Sequence, residues 1–465
     1  MSFSHQPPLK TSAPTLPQAM DSLPLNRRHG LIFAVCAAGF IFDSFDFQLL
    51  AMAAPLLLKE WSLSSVVLGR VFSAMVVGML IGSLTFGVVA DRIGRRAAFQ
   101  ITVAIFGVFS GLAAFAQNVQ QLAIIQLLVG VGIGGFVPVD ASVISEFMPT
   151  RHRGRIVSLW ALFYPVGGLL AALSASLVVA EFGWRVLFII GAVPAVLVVL
   201  LRRLIPETPR YLLRAGRGEE ARQSYRWLAG RDAVEVEAQT TESEAATPQG
   251  SPVKTLLGKP LRARTLMIWT VWFGWSFSYF GILLWLPTLL TKYRGMRLSE
   301  VFAYMIGFMI CGILGRITMS SVIDKVGRVT MIGLFGLCAS VAVLFFGHST
   351  DRVWLFVTGY VFAFFHDGGL SAIASYTPEL YPTSARATGY GFAAGVGRVA
   401  SIISPLIVGY VVNLDVSYVF VVFACGYALA AGAAKFAGIE TRGCALEDLP
   451  QTSIADLTGR SLPEY

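Results

Sequence analysis

Charge is what this 465-residue chain has least of: Asp, Glu, Lys and Arg together make up 14% of it, against roughly a quarter in a soluble domain. With 55% hydrophobic residues and a mean hydropathy of +0.68, the composition excludes an ordinary soluble globule and points to lipid as the solvent. Cysteine is scarce too, and Cys36, Cys311, Cys338, Cys425 and Cys444 show no paired spacing. That argues against a disulfide framework or a thiolate metal site and leaves them as packing residues. No nucleophile and base set, phosphate loop or metal-ligand spacing is present, so neither an enzyme nor a cofactor is expected. The net charge of +9 does not signal nucleic acid, because the Lys and Arg residues sit in short clusters between apolar runs. That is the topology pattern of a membrane protein.

The runs themselves are long. Windows of about 20 apolar residues fall near 31–58, 66–90, 97–117, 120–146, 156–180 and 183–205, and again near 264–291, 300–323, 329–348, 352–378, 386–412 and 416–437. They predict an all-α integral membrane protein with twelve transmembrane helices in two six-helix halves, 27–205 and 263–437. A Pro-rich polar tail at 1–26, expected to be disordered, a polar linker at 206–262 and a tail at 438–465 complete the division. No cleavage site follows the first run, which therefore reads as a span rather than a removed signal. Arg92, Arg95, Arg96, Arg151, Arg153, Arg155, Lys325 and Arg328 all fall on one side of such a path. The positive-inside rule then puts both termini and the linker in the cytoplasm, with a bacterial inner membrane as the expected location.

An internal echo organises the two halves. Asp91-Arg92-Ile93-Gly94-Arg95 reappears as Asp324-Lys325-Val326-Gly327-Arg328, and Glu146-x-x-Pro149-Thr150-x-x-Arg153 as Glu379-x-x-Pro382-Thr383-x-x-Arg386. Both shifts are 233 (324 − 91 and 379 − 146). A long period with matched polar strings between apolar runs marks a duplicated membrane unit, an arrangement that places a substrate path between the copies. The lone chain is expected to act as a monomer.

Gly87-x-x-x-Asp91-Arg92-x-Gly94-Arg95-Arg96 resembles the loop motif of the major facilitator superfamily, and Pro206-Glu207-Thr208-Pro209-Arg210-Tyr211 looks like the sequence after helix 6 in its sugar-porter-like branches. Gly130-x-Gly132-x-Gly134-Gly135 also fits. The resemblance implies a twelve-helix transporter working by alternating access. Gly87, Asp91, Arg92, Gly94, Arg95, Asp324 and Arg328 would clamp helix ends in one conformation and release them in another, and Glu146, Arg153, Glu379 and Arg386 would make gate or topology contacts beside them. Merely fixing topology is the plainer role for the same charges. Within the superfamily, Asp43-Ser44-Phe45-Asp46 is similar to the D-x-x-D element of aromatic acid:proton symporters, and Gly395-Val396-Gly397-Arg398 matches their G-x-G-R segment. Pro138-Val139-Asp140 and the stretch from Tyr376 to Thr383 look more like niacin-type and synaptic-vesicle-protein-like metabolite transporters. Together they imply proton-coupled uptake of a small organic acid, aromatic or heteroaromatic. Sugar porters carry an arginine where Gln126 stands, and their Q-Q-x-[ST]-G element is absent from Trp272 to Leu284. Ser320 replaces glycine in the second loop motif, which predicts unequal gating in the two halves.

The residues carry an argument without the family. A carboxylate at membrane depth costs at least ~2.5 kcal/mol, so Asp43 and Asp46 need a use or a wet cavity. Spaced i, i+3, they share a helical face, and two close acids compete to ionise, which suits proton carriage. Asp140 and Asp367 are further intramembrane acids, each balanced between proton coupling and helix packing. Arg398 is read as the arginine set deep in a span, and its planar fork suits a carboxylate; a structural pair with Asp367 or Asp43 is the alternative. Trp272, Trp275 and Tyr279 recur at i, i+3, i+7 as an aromatic wall, with Tyr164, Phe136 and Tyr376 as further contacts or packing. His366 is either a proton shuttle or a hydrogen-bonded core residue. An organic-cation carrier, using the acids as direct ligands, and a drug-efflux antiporter remain as rivals.

Overall fold

The structure, a computed structural model, describes residues 14–236, 256–259, 261–382 and 385–442. The first half comprises α1 (Leu16–Ser22), α2 (Arg27–Glu60), α3 (Ser65–Ile93), α4 (Arg95–Ala113), α5 (Val119–Phe147), α6 (Thr150–Ala161), α7 (Tyr164–Phe182) and α8 (Arg185–Arg202). Two short helices follow, α9 (Pro209–Arg214) and α10 (Gly218–Ala229). The second half holds α11 (Arg262–Thr288), α12 (Leu298–Val326), α13 (Arg328–His348), α14 (Arg352–Glu379), α15 (Arg386–Val411) and α16 (Val416–Ala437). Among the described residues there is no β-strand.

Polar caps and prolines set the helix limits. Asn26, Ser64, Asn118, Asp351 and Asp415 each accept a hydrogen bond from the first turn of the helix they precede, satisfying donors that have no intrahelical partner. The span expected over 156–180 is broken: α6 ends at Ala161 and α7 starts again with Pro165 in its first turn. Proline has no N–H to bond back to the preceding turn, so a fresh helix start is where it fits. Counting α6 and α7 as one, eleven helices among the described residues are long and apolar enough to cross a membrane, and the shorter apolar α8 lies in the place of the twelfth. This arrangement is the one that the resemblance to major facilitators implies. Its outer faces carry exposed Leu84, Leu177, Val196, Leu337 and Phe345, surfaces that only lipid would leave unpenalised.

Part of the N-terminal tail departs from the disorder expected of it. The apolar side of α1, with Leu16, Ala19 and Met20, is buried. Asp21 accepts a hydrogen bond from Thr150 Oγ1 at 2.7 Å and pairs with Arg210 at 3.2 Å. A short helix that covers an apolar stripe and gains two polar anchors is held by packing rather than by its own propensity.

The halves touch backbone to backbone at the end remote from the termini. A Cβ on Gly69 of α3 would stand 2.5 Å from the Pro405 carbonyl oxygen of α15, and Ser73 Oγ donates to Ile402 O at 2.8 Å. Ser65 Oγ lies 3.0 Å from Tyr293 Oη at the same end. Nearer the termini, a Cβ on Gly391 or Gly395 of α15 would meet nothing within 4 Å. The space between the halves therefore opens towards the end that carries both termini.

Candidate functional site

Two equivalent brackets tie helix ends together at the open end. In the first half Arg95 Nη2 meets Asp91 Oδ1 at 2.6 Å and Arg95 Nε meets Glu146 Oε1 at 3.0 Å. In the second, Arg328 Nη2 meets Asp324 Oδ1 at 2.7 Å and Arg328 Nε meets Glu379 Oε2 at 3.1 Å. Sharp breaks at Gly94 and Gly327, with φ of 99° and 115°, turn the chain from one helix into the next; these backbone angles are ones that residues with a Cβ rarely adopt. The sequence reading missed a third matched element. Glu207 accepts from Arg95 N and Arg96 N at the start of α4, and Thr208 Oγ1 donates to Glu146 at 2.5 Å. Glu440 accepts from Arg328 N and Val329 N, and Thr441 Oγ1 donates to Glu379 at 2.5 Å. The signal was available, since 440 − 207 is again 233, but a two-residue echo is too short to find without the longer ones. Arg153 does not join Glu146; it lies 3.8 Å from Asp21. Ser320, which stands where the loop motif has glycine, is exposed and donates to Ile317 O at 2.9 Å, and a Cβ at the matching Gly87 would meet nothing within 4 Å. The glycine is not needed for space at either position.

Midway along the helices, Arg398 of α15 faces the first half. Its Nη1 lies 3.7 Å from Met79 Sδ of α3, and among the described residues it forms no ion pair. Nε and Nη2 make no hydrogen bond and are not sealed from solvent. Asp43 of α2 lies within electrostatic reach of Arg398, with neither oxygen hydrogen-bonded. Tyr164 of α7 lies within electrostatic reach of both and packs obliquely on Phe40 at 5.2 Å. On the second half, Trp272 packs edge-on to Tyr390 at 6.0 Å, and Tyr390 lies within electrostatic reach of Arg398. A cation and an acid thus face each other across a gap lined by aromatic rings, neither neutralised by a direct contact. Such a pair is costly in a dry interior; Arg398 Nε and Nη2 stay open to solvent, whereas Asp43 Oδ1 is sealed from it without a partner.

The other expected residues lie elsewhere. Asp46 turns into the first half, where Ser110 Oγ donates to it at 2.5 Å, and its Oδ2 is buried without a partner. Asp140 is fully buried and accepts from Trp160 Nε1 at 2.7 Å. Phe136 packs against Phe99 and Phe106 inside the first half. Trp275 donates to His366 O at 3.2 Å from the interior of the second half, and Tyr376 Oη both donates to Ile439 O and accepts from Ile439 N. His366 stacks on Tyr279 at 4.2 Å and bonds Tyr427 Oη through Nδ1.

One reading is corrected. Arg398 is not alone at depth: Arg316 of α12 is buried and takes Asp367, holding its Oδ1 through Nε at 3.0 Å and Nη2 at 2.7 Å, while Tyr279 Oη donates to the same oxygen at 3.2 Å. Of the two acids expected as structural partners of Arg398, Asp367 is thus occupied and Asp43 is not. Arg316 lies ten residues from the end of α12, about 15 Å along the axis, too far to reach water lengthwise, so it is compensated sideways.

The sequence matches the family described as sugar (and other) transporter over residues 15–452. It is 33% identical to a niacin transporter of Acinetobacter baylyi, over 92% of this chain and 98% of the relative. It is 31% identical to a gallate transporter of Pseudomonas putida (85% and 88%) and 28% identical to a benzoate transport protein of A. baylyi (87% and 88%). Among solved structures, the xylose transporter of E. coli in a partially occluded inward-open conformation aligns with a TM-score of 0.73 at 18% identity, covering 90% of this chain and all of the other.

Proposed function

The chain belongs to the sugar (and other) transporter family of the major facilitator superfamily, which makes it a membrane transporter and not an enzyme, and we propose that it imports a small aromatic or heteroaromatic monocarboxylate together with a proton. The observation that carries this reading is the open pair of Arg398 and Asp43 on opposite halves. A carboxylate laid against Arg398 Nε and Nη2 would complete a bidentate contact that the protein itself leaves unmade. Tyr164, Trp272 and Tyr390 supply flat faces for the ring. Relatives that carry niacin, gallate and benzoate support an acid of this size.

Coupling follows from linkage. While Asp43 is ionised, its charge competes with the substrate for Arg398; once Asp43 takes a proton, the guanidinium is left for the carboxylate. Proton and acid therefore raise each other's affinity, and by reciprocity the loss of one weakens the other. Asp46, three residues on, is the proposed relay. With the cations at the open end counted as cytoplasmic, the gap faces the cell interior, both termini lie there, and release is the step this conformation serves. Rocking about the contact at Gly69 and Pro405 would bring the gap to the other side, with the brackets keeping each half rigid.

Uptake of labelled benzoate and nicotinate into proteoliposomes, with and without an inward proton gradient, tests the reading. Gradient-driven accumulation competed by carboxylates is expected. Competition by organic cations and not by carboxylates would make Asp43 the ligand of a cation and leave Arg398 structural.

A further inference from the structure

Asp140 is an intramembrane acid that the coupling scheme does not use. It lies seven residues before Phe147, the last residue of α5, or about 10 Å along the axis. The residue is fully buried: Oδ2 takes the indole N–H of Trp160 at 2.7 Å, and Oδ1 is sealed without a partner. Cys36 and Asp43 of α2 and Arg202 of α8 lie within its electrostatic reach. A carboxyl closed off from solvent is poorly placed to exchange a proton with water in this conformation; what it supplies is an acceptor.

The bond it accepts leads to the gap. Trp160 belongs to the last turn of α6, beside the break from which α7 resumes at Tyr164. Its ring stacks on Phe40 with centroids 3.9 Å apart and planes 18° from parallel, and Phe40 packs in turn on Tyr164 at 5.2 Å. Phe40 stands three residues before Asp43 on α2, which places both on one helical face. Contacts therefore run without interruption from Asp140 through Trp160 and Phe40 to Tyr164, which lies within electrostatic reach of both Asp43 and Arg398. Trp160 and Phe40 are buried, and in a close-packed interior an indole that swings displaces the ring stacked on it. The hydrogen bond prevents that swing, because a buried indole N–H without an acceptor is costly.

We propose that Asp140 and Trp160 are positioning residues for the ring of the transported acid: their hydrogen bond fixes Phe40, and Phe40 holds Tyr164 at the angle at which it meets that ring. The inference rests on the reading of an aromatic carboxylate held at Arg398. It makes Asp140 an acceptor and not a proton carrier. Contacts between aromatic rings depend on angle and offset, whereas a saturated ring needs only area. A loosened Tyr164 therefore costs a flat acid more than a saturated acid of the same size.

The test is displacement of labelled benzoate from the purified full-length transporter by benzoate and by cyclohexanecarboxylate. Wild type should bind benzoate more tightly. Trp160→Phe keeps a ring on Phe40 but loses the N–H, and it should cut the preference by about three- to tenfold, within the worth of one aromatic pair. Asp140→Ala should do the same, and Asp140→Asn, which offers an amide oxygen to the same N–H, should bring the preference back to within about twofold of wild type. In proteoliposomes, Trp160→Phe and Asp140→Asn should both still accumulate benzoate on an inward proton gradient. An unchanged preference in Trp160→Phe overturns the proposal, as does a loss shared equally by the two acids, which is what general damage to the bundle would give. Loss of gradient-driven accumulation in Asp140→Asn but not in Trp160→Phe also overturns it and makes Asp140 a proton carrier. Wild-type binding of both acids by Arg398→Ala overturns the underlying reading of Arg398 instead.

Discussion

The halves agree most closely at the open end and least at mid-depth. The two brackets repeat contact for contact, to within about 0.1 Å at the arginine–aspartate and arginine–glutamate pairs. Twenty to fifty residues along the chain the likeness is gone. Under the 233 shift Asp43 meets Ser276, Asp46 meets Tyr279, and Arg398 meets Pro165. Selection on a rigid, hinged half preserves the parts that hold helix ends. Selection on a ligand acts on the lining of the gap, where two identical surfaces would offer only like charges. Among the intramembrane charges left without an ion pair, the first half keeps the acids Asp43 and Asp46, and the second keeps Arg398.

That contrast can be broken at its extremes. Arg398→Ala removes the charge that the second half presents to the gap, and carboxylate uptake should fall by one to two orders of magnitude, the loss of a charge-assisted contact worth roughly 1.5–3 kcal/mol; uptake in proteoliposomes reads this directly, and retention of most of it would detach the site from Arg398. Next in size, Gly94→Ala and Gly327→Ala each force a side chain into a positive-φ position and against Glu207 or Glu440. Each should cost of order 1–3 kcal/mol of stability, seen as a lower melting temperature in detergent. Arg95→Gln and Arg328→Gln should both destabilise by about 1–3 kcal/mol, with Arg95 the larger because its side chain is 7% exposed against 16% for Arg328. A large loss at one bracket and none at the other would undo the equivalence. Gly87→Ser, which installs the residue the second half already carries, should shift the melting temperature least of all.

The sequence made the architecture legible because hydrophobic runs, cation clusters and the 233 repeat are local or periodic signals. The orientation of side chains was not legible, and α11 shows why: 89% of its apolar window is buried, so no polar face marks which residues line the gap and which pack inward. Trp272 and Trp275 look alike in sequence, yet Trp272 is half-buried beside Tyr390 and Trp275 is fully buried beneath His366. Partner choice was hidden for a related reason. Whether Asp367 takes Arg316 or Arg398 depends on how α12, α14 and α15 stand against one another, which spacing along the chain does not encode. Arg316 itself was visible as a charge within an apolar run, and Asp43 and Asp46 could be told apart only once Ser110 was seen to hold Asp46.

The division of labour between an acidic first half and a cationic second half is tested most directly by Asp43→Asn. In proteoliposomes loaded with unlabelled benzoate, the variant should still exchange labelled benzoate across the membrane, because Arg398 is untouched, and should no longer accumulate it when an inward proton gradient is imposed. Accumulation that follows the gradient as in wild type would contradict the account, since the proton would then be carried by a group other than the one facing Arg398.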